Sequence, residues 1–422
     1  AAAQSNADVL KELQALRARV AELEAKQKAA EAKPAPEWGM TPQQAADFNR
    51  ISVKTESIED NIEMWGIKGL TVTGYIEPVF IYNHRQHRAG FQFLNDQADG
   101  YYYDTSFMGA ASIGFTKETE SGTLWKLTLT PNRGVGATIG AGIVQEASVS
   151  VALGDPSTRL IAGQIPDWSG YEYQQPTLNP FTTHNLLYDF TLPLGYTGVG
   201  VEMPLGNWGV KAMIANVNTT IRGPGEKSPV LVYRGDYELN EFSGIGLAGL
   251  HGKAPNFNGE GQNTMAHLFE VDGYYNRGDW GFNGQVSLGR QKRAAITPDA
   301  AGNFRDASWW GVSGLASYAL TPRLQGLLRA DYLHNKKNGG GLFTYNGYSA
   351  ADENGVMQYG NDDRNGLGPD LAGDLNRGAN RYAITFGLKY AFNEQTTIKA
   401  EYRLDGADRA VFYDVKDGGY HK

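Results

Sequence analysis

From Leu70 onward, segment after segment of the chain alternates apolar and polar residues with a period of two, and this constrains the fold more than any other feature. Leu70, Val72, Ile76, Phe80 and Tyr82 alternate with Thr71, Thr73, Tyr75, Glu77 and Asn83. Trp125, Leu127 and Leu129 alternate with Lys126, Thr128 and Thr130; Ala147, Val149, Val151 and Leu153 alternate with Glu146, Ser148 and Ser150. Near the end Tyr382, Ile384, Phe386 and Leu388 oppose Arg381, Thr385 and Lys389, and Ile398, Ala400, Tyr402 and Leu404 oppose Lys399, Glu401, Arg403 and Asp405. Successive side chains of a strand point to opposite faces, so each segment is a strand with one apolar and one watery face.

The connections alternate as well. Short turns fall around 154–157, 204–207, 239–241, 277–279, 320–322 and 392–395. Long polar connections occupy about 84–105, 131–142, 164–193, 218–229, 251–263, 291–306, 335–379 and 406–422. The composition fits: 53 Gly, 23 Tyr, 17 Phe and 8 Trp coexist with a mean hydropathy of -0.42. The sequence has no apolar run near the ~20 residues of a spanning helix. Strands that show lipid one face and water the other average out in this way, and loops short at one end and long at the other belong to the same architecture. A soluble β-sandwich or propeller gives no reason for aromatics at nearly every turn, as in Asn207-Trp208, Asp279-Trp280 and Tyr390-Ala391-Phe392. The expected fold is therefore all-β: a 16-stranded antiparallel transmembrane β-barrel over residues 67–422. About fifteen strands can be counted, and an odd number does not close such a barrel, so a sixteenth strand is expected beyond Lys422.

Residues 1–33 follow another rule. Good helix formers fill Asn6 to Ala32 before Pro34 and Pro36. With Leu13, Val20 and Gln27 at a, the d positions hold Val9, Leu16, Leu23 and Ala30, and the coiled-coil core is Val9, Leu13, Leu16, Val20 and Leu23. The g/e pairs Glu12 with Arg17, Arg19 with Glu24 and Lys26 with Glu31 are all of opposite sign, which predicts a parallel homo-oligomeric coiled coil about 40 Å long. The heptads leave two strands against three open. Residues 34–66 read as a linker with a short helix that Thr41 caps ahead of Pro42. The start, Ala1-Ala2-Ala3-Gln4-Ser5, reads as what remains after signal cleavage. The absence of Cys removes disulfides and thiol chemistry, and the net charge of -8 argues against a nucleic-acid partner.

The stretch from Val144 to Leu153, then Gly154-Asp155-Pro156, then Arg159 to Pro166, resembles a hairpin of the trimeric Gram-negative outer-membrane porins. It is most similar to the group of phosphate-selective and carbohydrate porins, some of which carry an N-terminal coiled coil. The resemblance covers the barrel in architecture and is specific only over about 144–190. It implies a homotrimer in outer-membrane lipid and lipopolysaccharide. It also implies a third loop, about 164–193, that folds inward and constricts the pore, contributing Asp167, Trp168, Tyr171, Glu172, Tyr173, Phe181 and Asp189.

Alternation assigns the lumen face. An acidic wall is expected from Glu202, Asp236, Glu238, Glu270 and Asp272, and a basic wall from Arg323, Arg329, Arg381, Lys389, Lys399 and Arg403, the latter interleaved with Asp331, Glu401 and Asp405. The expected function is passive diffusion of small hydrophilic solutes and ions, with residues 1–33 in the periplasm. Alternatives are a structural tether reaching peptidoglycan or an envelope protein through residues 1–33, and a substrate-specific anion or sugar channel with Trp168, Tyr171, Tyr173 and Phe181 as stacking surfaces. No stretch marks a nucleophile with a placed base, so no enzyme is expected. No cofactor is assigned; the oxygen-rich loop near Asp362 and Asp363 could hold Ca2+, although Arg364 interrupts the ligand spacing and favours a hydrophilic turn. His84 and His87 sit on one turn, where a solvated basic rim explains them, and no metal is assigned there.

Overall fold

The computed structural model describes residues 6–31, 42–64, 66–94, 108–131, 143–219, 221–223, 226–255, 263–295, 299, 301–335, 347–351, 357–361 and 377–422. The chain divides into two compact units, Ala1–Leu70 and Thr71–Lys422.

The first unit holds helices α1 (Asn6–Glu31) and α2 (Pro42–Met64). On α1 Leu13, Leu16, Val20 and Leu23 are between 37% and 66% exposed, so among the described residues that stripe is left largely open. The side chain of Val9, like Thr41, lies outside the described residues. The helix expected in the linker runs for 23 residues and is not short. No Gly or Pro interrupts Gln43 to Met64, so nothing stops it earlier.

In the second unit β1 (Leu70–Ile76) leads to a hairpin of β2 (Val79–Asn83) and β3 (Arg88–Gln92), then to β4 (Ala111–Glu118), β5 (Leu124–Leu129), β6 (Val144–Leu153) and β7 (Asp155–Pro166). A 3-10 turn at Pro176–Leu178 and helix α3 (Leu186–Thr191) lie in the connection to β8 (Gly195–Leu205). Next come β9 (Trp208–Val217), β10 (Val230–Asn240), β11 (Ser243–Ala254), β12 (Thr264–Arg277), β13 (Trp280–Gln291), β14 (Ala307–Thr321) and β15 (Leu324–His334). The hairpin β16 (Gly347–Ala351) and β17 (Met357–Asn361) lies in a connection, followed by β18 (Arg381–Ala391), β19 (Thr397–Ala407), and the hairpin β20 (Phe412–Asp414) and β21 (Gly419–His421). Asp362 and Asp363 lie outside the described residues.

Fifteen strands form one antiparallel up-and-down sheet, ordered from β1 through β4–β15 to β18 and β19. These are fifteen of the sixteen strands expected, the last having been expected beyond Lys422, and β1 and β19 run in the same sense, as the ends of an odd meander must. The sheet curls until hairpins from its two ends meet: the Val415 N–H donates to the Arg85 carbonyl at 2.9 Å.

The period-2 pattern becomes two faces. Along β12, Thr264, Ala266, Leu268, Glu270 and Asp272 are buried inward, whereas Met265 and Phe269 are 37% and 41% exposed on the outside. Outward Leu288, Val312, Ile384 and Phe386 continue this apolar belt, and Trp280 with Tyr318, ring centroids 4.6 Å apart, marks its edge at the tight-turn end. The inward face is not watery throughout. Inside β9–β15 and β18, Met213, Val232, Leu250, Leu268, Trp309 and Leu333 form a dry core with Leu186, Leu187 and Phe190 of the inserted connection.

Candidate functional site

The connection from Asp167 to Leu194 turns into the barrel. Its base is closed by Asp167 N–H donating to the Leu194 carbonyl at 3.1 Å and by Leu194 N–H donating to Asn218 Oδ1 at 2.7 Å. Asp167 then accepts from Ser169 N–H and Oγ, each at 3.0 Å, and from the Tyr196 hydroxyl. Gly170 N–H donates to Glu270 Oε2 at 3.0 Å, and the Tyr171 hydroxyl meets Ser313 Oγ at 2.6 Å. Asn179 bridges the Tyr173 N–H and carbonyl at 2.8 and 2.6 Å, fixing the turn around Pro176.

The far side of the loop is held by β15, β18 and β19. Arg329 Nη1 donates to Glu172 Oε1 at 2.9 Å and to the Thr183 carbonyl at 2.7 Å, while Nη2 donates to the His184 carbonyl at 2.9 Å. Arg403 Nη1 reaches the same His184 carbonyl at 3.0 Å, and Lys399 Nζ donates to the carbonyls of Pro176 and Phe181 at 2.7 and 3.2 Å. Glu401 Oε2 accepts the Thr182 and Thr183 N–H groups at 2.9 and 3.3 Å. Asn185 caps α3 by accepting the Tyr188 N–H, and every residue of that helix is buried. Phe181 packs between Leu315 and Leu327. At Gly387 the wall must lack a side chain, because a Cβ there would stand 2.5 Å from Phe181 Cε1.

Burial sets the ionisation of the loop. It pushes Asp167 up to about 6 against the hydrogen bonds from Tyr196 and Ser169, and Glu172 up to about 7 against the pull of Arg329. His184 is pushed down to about 3 by burial, helped by Arg329, Lys399 and Arg403, so its imidazole is neutral.

These contacts change the meaning of the two predicted walls. Arg329 and Arg381 are fully buried, and Arg381 and Arg403 share Asp405 at 2.6 and 2.9 Å. Lys399 and Arg403 are spent on loop carbonyls. Lys389 is half-buried on the inward face of β18. Arg323 is not on the wall at all: it lies exposed in the tight turn between β14 and β15, one residue before the strand begins, so it has no inward face. On the acidic side Glu270 holds the loop and Asp236 and Asp272 both bind Arg234 at 2.7 Å. Glu202 stands opposite Lys211, and Glu238 is exposed toward the tight-turn end. Asp189 is buried on α3. Of the aromatic surfaces, Trp168 packs against Tyr196 at 4.9 Å with Lys211 over its ring, Tyr171 and Phe181 pin the loop, and Tyr173 alone is exposed, at 61%.

The sequence reading omitted Arg234 and Lys211. Arg234 shares the parity of Val232, Asp236 and Glu238, so alternation was enough to find it. Its partner across β11 is reached over Gly246, where a Cβ would collide with both Arg234 Nη2 and Asp272 Oδ1. The inward faces of β1 and β4–β6 differ from all this. They carry Thr73, Ser112, Thr128, Thr130, Ser148 and Ser150 together with Lys126 and Glu146, polar groups without the dry packing found opposite.

An up-and-down antiparallel sheet with an apolar outer belt and a loop folded inside defines the porin-type outer-membrane β-barrel. The anion-selective porin from Comamonas acidovorans has this fold, with a TM-score of 0.50 at 11% identity over 81% of this chain and 90% of that one. OmpT of Vibrio cholerae in its trimer form aligns at a TM-score of 0.47 and 11% identity over 84% and 94%, and Salmonella typhi OmpF at 0.46 and 12% over 83% and 92%. Residues 47–224 and 246–422 match the family profile described as Protein of unknown function (DUF3138), and the chain belongs to that family. No curated protein matches it.

Proposed function

We propose that the chain forms an outer-membrane pore for passive diffusion of small hydrophilic solutes and ions, with Asp167–Leu194 as its constriction. The observation that carries this reading is the loop itself, anchored across the lumen from Glu270 on β12 to Lys399 and Arg403 on β19. The aqueous path then runs between the loop and the hydroxyl-bearing wall of β1 and β4–β6. Hydroxyls replace water's hydrogen bonds, and Lys126 and Glu146 add one charge of each sign to that wall, which favours small polar solutes of either sign. An anion ladder is not favoured, since most of its cations already serve carboxylates and loop carbonyls. A sugar track is not favoured either, since only Tyr173 presents a ring.

The exposed Leu13, Leu16, Val20 and Leu23 stripe supports self-assembly through α1, and the homotrimer is the reading consistent with a porin fold. The chain enters β1 at the tight-turn end, the periplasmic end of such barrels, which supports a periplasmic N-terminal segment, while the long loops face lipopolysaccharide. The test is single-channel conductance of the purified oligomer in a planar bilayer, with the reversal potential in a salt gradient. Closure in three equal steps and weak ion selectivity are expected. Folded protein that does not conduct would overturn the reading and leave the structural tether.

A further inference from the structure

Away from the lumen, the hairpins at the two ends of the sheet bring metal-ligating side chains together. His84 to His87 form the turn between β2 and β3, while Asp414, Asp417 and His421 belong to the hairpin of β20 and β21. The hairpins are already joined without any ion. Val415 N–H donates to the Arg85 carbonyl at 2.9 Å, and the Arg85 guanidinium lies 4.7 Å from the Phe412 ring centroid and donates to the Lys422 backbone oxygen at 2.8 Å. The Arg85 charge is thus directed at a ring and a backbone oxygen.

Beside that joint, His87 Nε2 stands 3.5 Å from Asp414 Oδ1, and His421 Nε2 stands 2.8 Å from Asp417 Oδ2. One ligand atom each from Asp414, Asp417 and His421 lies within 4.8 Å of the others. Lys416 N–H donates to Asp414 Oδ1 at 2.9 Å and Gly419 N–H to Asp417 Oδ1 at 3.1 Å, which leaves Asp417 Oδ2 turned to His421. Four-coordinate zinc, with bonds of about 2.0–2.2 Å, holds its ligand atoms about 3.3–3.6 Å apart. The half-exposed His421 and Asp417 side chains need to part by only roughly half an ångström to meet that spacing, and His87 approaches Asp414 from the other hairpin.

We infer that Asp414, Asp417 and His421 form a site for one divalent transition-metal ion of the zinc class, with His87 of the other hairpin supporting Asp414 from beside it. One imidazole with two carboxylates, and water as a fourth ligand, suits zinc, whereas calcium and magnesium require oxygen ligands in larger number. The sequence pairs His87 with His84 on one turn; the fold pairs it with Asp414 far downstream.

The test is calorimetric titration of the folded, detergent-solubilised full chain with Zn2+, and optical titration with Co2+. One ion per chain is expected, with the intense visible band of four-coordinate Co2+ and no displacement by Ca2+ or Mg2+. His87→Ala and Asp417→Asn should each weaken binding by more than about 10-fold, since even a residue that only supports a ligand is worth roughly 10–100-fold. Affinity unchanged by both substitutions, no binding at micromolar Zn2+, or displacement by Ca2+ overturns the site. Heat-modifiable migration on a gel checks folding, and if Asp417→Asn does not fold, His87→Gln on the separate hairpin is read in the same titration.

Discussion

Arg329 on β15 and Glu172 in the inserted loop form an ion pair of 2.9 Å in which the two side chains are 0% and 1% exposed. They are 157 positions apart in sequence, and their contact fixes how deep the loop sits in the barrel. Arg329 also serves Asp331 at 3.3 Å and two loop carbonyls, so its guanidinium is the hub of the far anchor.

Removing that hub leaves Glu172 and Asp331 buried without their cation. Breaking a buried pair on one side costs about 3–5 kcal/mol. Arg329→Met is expected to unseat the loop, raising single-channel conductance and its open-state noise, and to lower the urea midpoint of the folded barrel. Conductance equal to that of the native pore would show that the loop does not narrow it.

Asp167 and Glu172, with pKa values raised to about 6 and about 7 from ordinary values of 3.8 and 4.5, make stability depend on pH. The folded chain binds more protons than the unfolded one between those values. The stabilising contribution is therefore fully present below about 4 and is lost as pH rises through about 7, by at most roughly 1.4 kcal/mol per pH unit for each group. Urea midpoints should fall from pH 5 to pH 8, and Glu172→Gln should flatten most of that slope.

Gly387 admits Phe181 to its seat, so Gly387→Val is expected to push the ring out and widen the passage. Phe181→Ala in the same chain should restore barrel stability without restoring the native conductance. Non-additivity of about 0.5–3 kcal/mol in the double-mutant cycle is the expected sign of direct contact.

Arg234 neutralises Asp236 and Asp272 at 2.7 Å. Arg234→Met should leave a net negative lumen wall and shift the reversal potential toward cations. An unchanged reversal potential would mean that the two carboxylates do not face the conducting path.

Leu16 is 66% exposed on α1. If that stripe joins copies of the chain, Leu16→Glu puts like charges on the seam. The oligomer should dissociate at lower detergent-to-protein ratios, as measured by sedimentation, while each barrel keeps its fold.

The sequence by itself determined the strands, their faces and their order. A period-2 pattern has only one arrangement that hides Met265, Phe269 and Leu288 in lipid while turning Glu270 inward, and tight turns leave an up-and-down meander as the natural order. That the connection of about 164–193 folds inward came from the family resemblance and not from the alternation, which counts it as one long connection among eight. Only the tertiary structure decided what the inward charges do. Parity says that Arg329, Lys399 and Arg403 point inside, but whether they meet water or protein depends on where a connection made from other parts of the chain comes to rest. Its apolar residues, Leu186, Leu187 and Phe190, gain by leaving water, and they carry its carbonyls and Glu172 to those cations. Arg323 shows the limit from the other side, since a one-residue difference in where a strand begins moves a side chain from wall to turn.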